Sequence, residues 1–195
     1  MSGTMLRREV VASLLASRGD LLVVSGLGST TYDCAAAGDH PLNFYLWGAM
    51  GGAAMIGLGL ALAQPKRRVL VITGDGEMLM GLGSLATIAA RRPSNLAIAV
   101  IDNERYGETG MQTTHTAAGV DLAAMARAAG FAAAITAARK EELEGVIRLL
   151  RRDAGPVLAV IKVAAVRDPF VLPARDGALL KHRFRAALLG EAAAS

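Results

Sequence analysis

Cysteine is nearly missing: Cys34 is the single one in 195 residues. That excludes a disulfide framework within the chain and a cysteine-ligated zinc or iron–sulfur centre. A reducing, cytoplasmic setting is the expectation. Aromatic residues are scarce too, at 4%. They do not interleave with basic residues, which argues against nucleic-acid binding. No sign of charge is concentrated. The net charge is +4, and basic residues come as dispersed pairs (Arg7-Arg8, Arg67-Arg68, Arg91-Arg92, Arg151-Arg152) that read as solvated helix faces. Lys181-His182-Arg183-Arg185 is the densest basic group. The most apolar window, "WGAMGGAAMIGLGLALAQ" (47–64), carries five glycines, and no basic flank with a cleavage site precedes it. It reads as a buried helix against a sheet, not a membrane span or signal peptide.

Hydrophobic residues make up 53% and charged ones 19%, so a sizeable core can be buried. Apolar residues recur at helical spacing over 5–18, predicting a first helix. Leu21–Val24 reads as a short buried strand, followed by a turn of small residues (25–30) and a short helix. Residues 38–47, with Pro41, read as an irregular connection. A Gly/Ala-rich helix is expected over Met50–Gln64, ended by Pro65, and then the strand "KRRVLVIT". Further helices are expected at about 78–91, 121–129, 139–152 and 176–189. Strands are expected in "NLAIAVIDN", near 131–135, and in "GPVLAVIKVA". Continuous apolar runs mark strands covered on both faces. Their alternation with helical stretches predicts a three-layer α/β/α, doubly wound, mostly parallel sheet of five or six strands. In such sheets ligands sit at the C-terminal strand ends. That gathers loops 25–31, 73–78 and 102–116.

"VLVITGDGEMLM" (69–80) drives a buried strand into Gly74-Asp75-Gly76. Glycine lets backbone approach a ligand closely, and the following helix N-terminus suits a phosphate. An acid beside a phosphate repels it unless a divalent cation lies between, and magnesium bridges protein oxygens to phosphate oxygens in this way. Asp75 is then a metal ligand, with Asn103, at the end of a neighbouring strand, as a second oxygen donor. Taken alone, Asp75 also fits a helix cap.

Gly74-Asp75-Gly76, with Asn103 twenty-eight positions after Asp75, resembles the thiamine diphosphate-binding signature. That signature closes in a double Asn; here the pair is Asp102-Asn103, so the first is replaced. The resemblance implies Mg²⁺ held by the side chains of Asp75 and Asn103 and the backbone carbonyl of Arg105. The segment around residue 50 resembles the family stretch that holds the cofactor rings. There Met50 wedges between the rings and Gly48 offers its carbonyl to the 4′-amino group. "SGLGSTTYD" resembles the family's first strand-end turn, with Gly28, Ser29 and Thr30 facing the diphosphate. Gly74, Gly76, Tyr106 and Gly107 complete the cofactor set, together with Glu77, whose side chain is expected to point away so that only its N–H serves the phosphate.

The resemblance covers residues 5–165 and one module only, so the whole chain, 1–195, is expected to be a single diphosphate-binding domain. In this family a separate pyrimidine-binding domain supplies the glutamate that activates the cofactor. Glu9 has no second sheet to present it, so a pyrimidine-domain α-subunit is expected as partner in a hetero-oligomer, such as a dimer of αβ pairs. "YGETGMQTTHT" resembles the β-subunit of sulfopyruvate decarboxylase and the C-terminal domain of phosphonopyruvate decarboxylase. Their small 2-oxo acid substrates carry a second anionic group, which Gln112, Thr113, Thr114 and His115 are placed to contact. His115 also suits proton transfer after CO₂ leaves, or serves only as a loop hydrogen-bonder. Alternatives remain: a carboligase or 2-oxo acid oxidoreductase subunit, or a non-catalytic nucleotide-binding module, although no complete Gly-x-Gly-x-x-Gly follows the first strand.

Overall fold

A computed structural model describes residues 4–152 and 154–190. The chain opens with α1 (Arg7–Leu15), β1 (Leu22–Ser25), α2 (Ser29–Ala36) and β2 (Asn43–Tyr45). Then come α3 (Ala53–Ala63), β3 (Val69–Gly74), α4 (Asp75–Met80), α5 (Ser84–Arg91) and β4 (Leu96–Asp102). A small antiparallel hairpin pairs β5 (Arg105–Tyr106) with β6 (Gln112–Thr113). After a 3-10 turn at His115–Ala118 follow α6 (Leu122–Ala129), β7 (Ala133–Ala137), α7 (Leu143–Arg152), β8 (Val157–Lys162) and α8 (Gly177–Leu189).

Six strands form one parallel sheet in the order β2-β1-β3-β4-β8-β7. The three strands β1, β3 and β4 are almost entirely inaccessible to solvent, as their unbroken apolar runs require. One face is covered by α1, α2 and α7 through Val11, Leu14, Cys34, Val146 and Leu150. The other is covered by α3, α5 and α6 through Leu58, Leu85, Ile88, Leu122 and Ala126. The expected three-layer architecture is therefore present. Helix α8 closes the β2 edge, where Phe184 packs edge-on against Phe44 with ring centroids 5.6 Å apart.

Strand order reverses at β1. From β1 the chain leaves through α2 to one side, and from β3 it leaves through α4 on the opposite face. The two loops diverge, and a crevice opens between them at the C-terminal strand ends.

Three sequence expectations are corrected. Residues 38–47 are not wholly irregular: Asn43–Tyr45 pairs with β1 as the edge strand. Three residues are too short for a periodic signal to show. The helix expected at 78–91 is two helices, and the first begins at Asp75. Gly81 lies between them, and only glycine fits there, because a Cβ would lie 2.2 Å from the Gly51 carbonyl oxygen. The basic pairs are also more than solvated faces. Arg7 is buried and pairs with Asp33 and Asp168, while Arg151 donates to the carbonyls of Leu14, Ala16 and Ser17 at the end of α1. Among the described residues, no helix is long and apolar enough to cross a membrane.

Candidate functional site

The crevice is a cleft of about 290 Å³ lined by residues from the β1, β3 and β4 loops, with Met50 contributed from the segment before α3. It gathers Ser29, Thr30, Met50, Gly74, Asp75, Gly76, Glu77, Asn103, Arg105, Tyr106 and Gly107. Gly28 lies just behind, with a left-handed φ of 77°, at the start of α2. Gly48 is exposed in the turn before α3 and does not line the cleft. His115 is exposed at the head of its 3-10 turn, also outside the lining, and Glu9 is exposed on α1.

Asp75 is buried, at 2% exposure. It does not act as the helix cap: Gly74 holds the N-cap position, and Asp75 is the first residue of α4. Its Oδ2 accepts a hydrogen bond from Thr114 at 2.5 Å and lies 3.2 Å from the Thr116 hydroxyl. Burial pushes the Asp75 carboxyl up to about 6; the Thr114 and Thr116 hydroxyls oppose that rise and the nearby Asp102 charge reinforces it. Among the described residues Asp75 has no ion pair; Lys162, on the far side of Asp102, is bonded to Asp102 at 2.8 Å and Glu104 at 2.7 Å. A buried carboxylate without a positive partner favours a bound cation.

The donors around it suit a hard ion. No three His, Cys, Asp or Glu side chains converge into a metal cluster among the described residues. What remains is one carboxylate, the Asn103 side-chain oxygen and backbone carbonyls, the set magnesium accepts when phosphate oxygens complete its shell. Asn103 Oδ1 also accepts from the Arg105 N–H at 3.0 Å, which fixes the side chain in the turn. The Gly76 position explains itself: a Cβ there would lie 2.4 Å from the Tyr106 ring. Glycine thus lets β5 close over the start of α4.

The Glu77 carboxylate turns inward, beneath the β1 loop. Its Oε2 accepts from the Leu27 N–H at 3.1 Å and from Thr73 Oγ1 at 2.8 Å, while Oε1 takes no well-formed hydrogen bond. Burial raises its pKa, opposed by Thr73 and by the backbone amides of Ala53, Leu27 and Gly51. One side chain therefore braces the β1 loop and the segment before α3 against α4.

Two side chains of the 106–116 loop have partners within the fold. The Thr114 hydroxyl is engaged with Asp75, and Gln112 Oε1 and Nε2 bond the Thr109 hydroxyl and carbonyl. The Thr114 hydroxyl is buried and committed to Asp75, whereas Gln112 stays exposed at the hairpin. Sequence reasoning missed six residues of the cleft: Arg7, Leu27, Met80, Ile101, Glu108 and Thr109. Glu108 bonds Ser29 and Tyr32, both at 3.4 Å, and so sits beside the Gly28 turn. Arg7 lies in a helix more than sixty positions from Asp75, and no local pattern signals its approach.

Comparison with known proteins adds independent findings. A family model described as "Thiamine pyrophosphate enzyme, C-terminal TPP binding domain" matches residues 26–161. The sulfopyruvate decarboxylase subunit beta of Methanothermobacter thermautotrophicus is 45% identical over 125 residues, 64% of this chain and 66% of that one. The phosphonopyruvate decarboxylase of Streptomyces viridochromogenes is 38% identical over 172 residues, covering 86% of this chain but 42% of its own. The chain thus spans less than two thirds of either relative. Among solved structures, the benzoylformate decarboxylase of Polynucleobacter necessarius superposes with a TM-score of 0.74 at 18% identity, over 85% of this chain and 34% of that one. That likeness concerns the fold.

Proposed function

We propose a function from one premise: the chain belongs to the thiamine pyrophosphate enzymes, as their C-terminal TPP binding domain. On that premise it is the diphosphate-binding subunit of a 2-oxo acid decarboxylase that releases an aldehyde and CO₂. The observation that carries the reading is the cleft that Asp75, Asn103, Arg105 and Met50 line together. The names of the two similar decarboxylases support the reaction class.

Asp75, Asn103 and the Arg105 carbonyl would hold Mg²⁺ against the diphosphate, and the backbone of Gly28, Ser29, Gly76 and Glu77 would meet its oxygens. Bound there, thiamine diphosphate supplies the electron sink for decarboxylation. The chain's own residues do the rest. The N-terminus of α4 favours the anion. Met50, which lines the same cleft, would set the shape of the ring site, and Gly48, outside the lining, would offer its backbone carbonyl from the turn before α3. Glu77 holds the β1 loop in place. The carboxylate that activates the cofactor does not come from Glu9, which points to solvent. A pyrimidine-binding partner subunit contributes it, and the 42% coverage of the longer phosphonopyruvate decarboxylase leaves room for such a module in that relative. His115, exposed outside the cleft, would act only where the partner brings substrate to it. The assembly is a soluble hetero-oligomer of the cytoplasm acting on a small 2-oxo acid with a second anionic group.

Reconstitution tests this. The purified chain with thiamine diphosphate and Mg²⁺ is expected to give no turnover, and addition of the partner subunit to give CO₂ with free aldehyde. Robust turnover by the single chain refutes the divided site; a carbon–carbon coupled product refutes decarboxylation.

A further inference from the structure

We infer that Thr114, Thr116, Asp102 and Lys162 form a positioning relay that locks Asp75 Oδ2 and so leaves Oδ1 to face the cation. The inference rests on the cofactor reading above and extends it to residues that the reading leaves idle.

The geometry is a chain of short contacts across three elements. Thr114 Oγ1 lies 2.5 Å from Asp75 Oδ2, and Thr116 Oγ1 lies 2.9 Å from both Thr114 Oγ1 and Asp102 Oδ1. Asp102 Oδ2 meets Lys162 Nζ at 2.8 Å, and the same ammonium reaches Glu104 at 2.7 Å. Asp102 and Lys162 are register partners on β4 and β8, so the ion pair is built into the sheet. Each hydroxyl has one proton to give. The Thr116 proton satisfies Asp102, whose other oxygen is held by Lys162. The Thr114 proton then goes to Asp75 Oδ2 at 2.5 Å, the nearer and the charged acceptor, over Thr116 Oγ1 at 2.9 Å. Both threonines are buried, at 3% and 5% exposure, so water does not compete for these bonds.

The relay also accounts for the departure from the double Asn. An amide at 102 presents one acceptor, whereas the carboxylate accepts from Thr116 with one oxygen and from Lys162 with the other. Groups that orient a metal ligand in this way typically change metal affinity about 10–100-fold when removed.

The test is calorimetric titration of Mn²⁺ into the complex with its partner subunit at saturating thiamine diphosphate, alongside thermal melting without metal. Thr114→Val is expected to weaken Mn²⁺ binding by about 10–100-fold with no loss of metal-free stability, and Thr114→Ser to restore it. Thr116→Val and Asp102→Asn are expected to give the same change, progressively smaller. Unchanged Mn²⁺ affinity in Thr114→Val overturns the relay while leaving the cofactor reading intact. So does a fall in metal-free melting temperature with no change in affinity, which marks a packing role. Absence of metal-dependent cofactor binding in the wild-type complex overturns both.

Discussion

Asp33 and Asp75 invite comparison. Each is a buried acid on the helix that follows a parallel strand, one after β1 and the other after β3. Asp33 is met by two guanidinium groups, from Arg7 and Arg8, and Arg7 is held in turn by Asp168 at 3.0 Å. Asp75 is met by hydroxyls alone, and burial pushes its carboxyl up to about 6. The difference separates structure from function. A buried acid closed by arginine is complete within the fold. Asp75, left with neutral donors at the wall of an open cleft, favours a bound cation, whereas Glu77, also met by neutral donors, is spent bracing the β1 loop.

The largest effect that sharpens this contrast is expected at Asp75. Asp75→Ala removes the carboxylate assigned to the metal, and metal-dependent binding of thiamine diphosphate should fall below calorimetric detection. Its melting temperature without ligand should hold or rise, because an uncompensated buried charge has gone. Binding at wild-type strength would remove Asp75 from the ligand set. Asp33→Asn should behave in the opposite way. It strands two guanidinium groups and is expected to cost about 3–5 kcal/mol in chemical denaturation. Mn²⁺ affinity, measured where the variant is folded, should stay near wild type. Loss of metal affinity with full stability would erase the distinction between the two acids.

Much of this was legible in the residues. The unbroken apolar runs of β3 and β4 declared a sheet covered on both sides, and Gly74-Asp75-Gly76 with Asn103 marked the strand ends that meet. What stayed hidden depends on contacts far apart in sequence. Nothing near Arg7 reveals that it turns inward to Asp33. The need for glycine at 81 comes from a neighbour thirty positions earlier, the Gly51 carbonyl. Thr114 and Thr116 look like loop hydroxyls until the β5–β6 hairpin folds them back onto Asp75. Local pattern reports which face is apolar; it does not report which polar group a returning loop will bring.

The smallest expected change in stability carries the contrast to apolar residues. Met50 and Met78 both belong to segments around the cleft, yet Met78 is 2% exposed and Met50 is 37% exposed. Met78→Ala opens a hole in the core between α4 and the sheet and should cost about 2–5 kcal/mol. Met50→Ala removes a side chain that the isolated fold leaves part-exposed, so its cost should be well below that of Met78→Ala, about 1 kcal/mol or less. If Met50 instead wedges against a bound cofactor, decarboxylation by the reconstituted complex should drop sharply while denaturation curves of the chain overlay those of wild type. A stability loss matching that of Met78→Ala, with turnover preserved, would place Met50 among the packing residues. A methionine left part-exposed beside an uncompensated acid is what a site waiting for its ligand looks like, since the apolar surface, like the charge, is buried only when the ligand arrives.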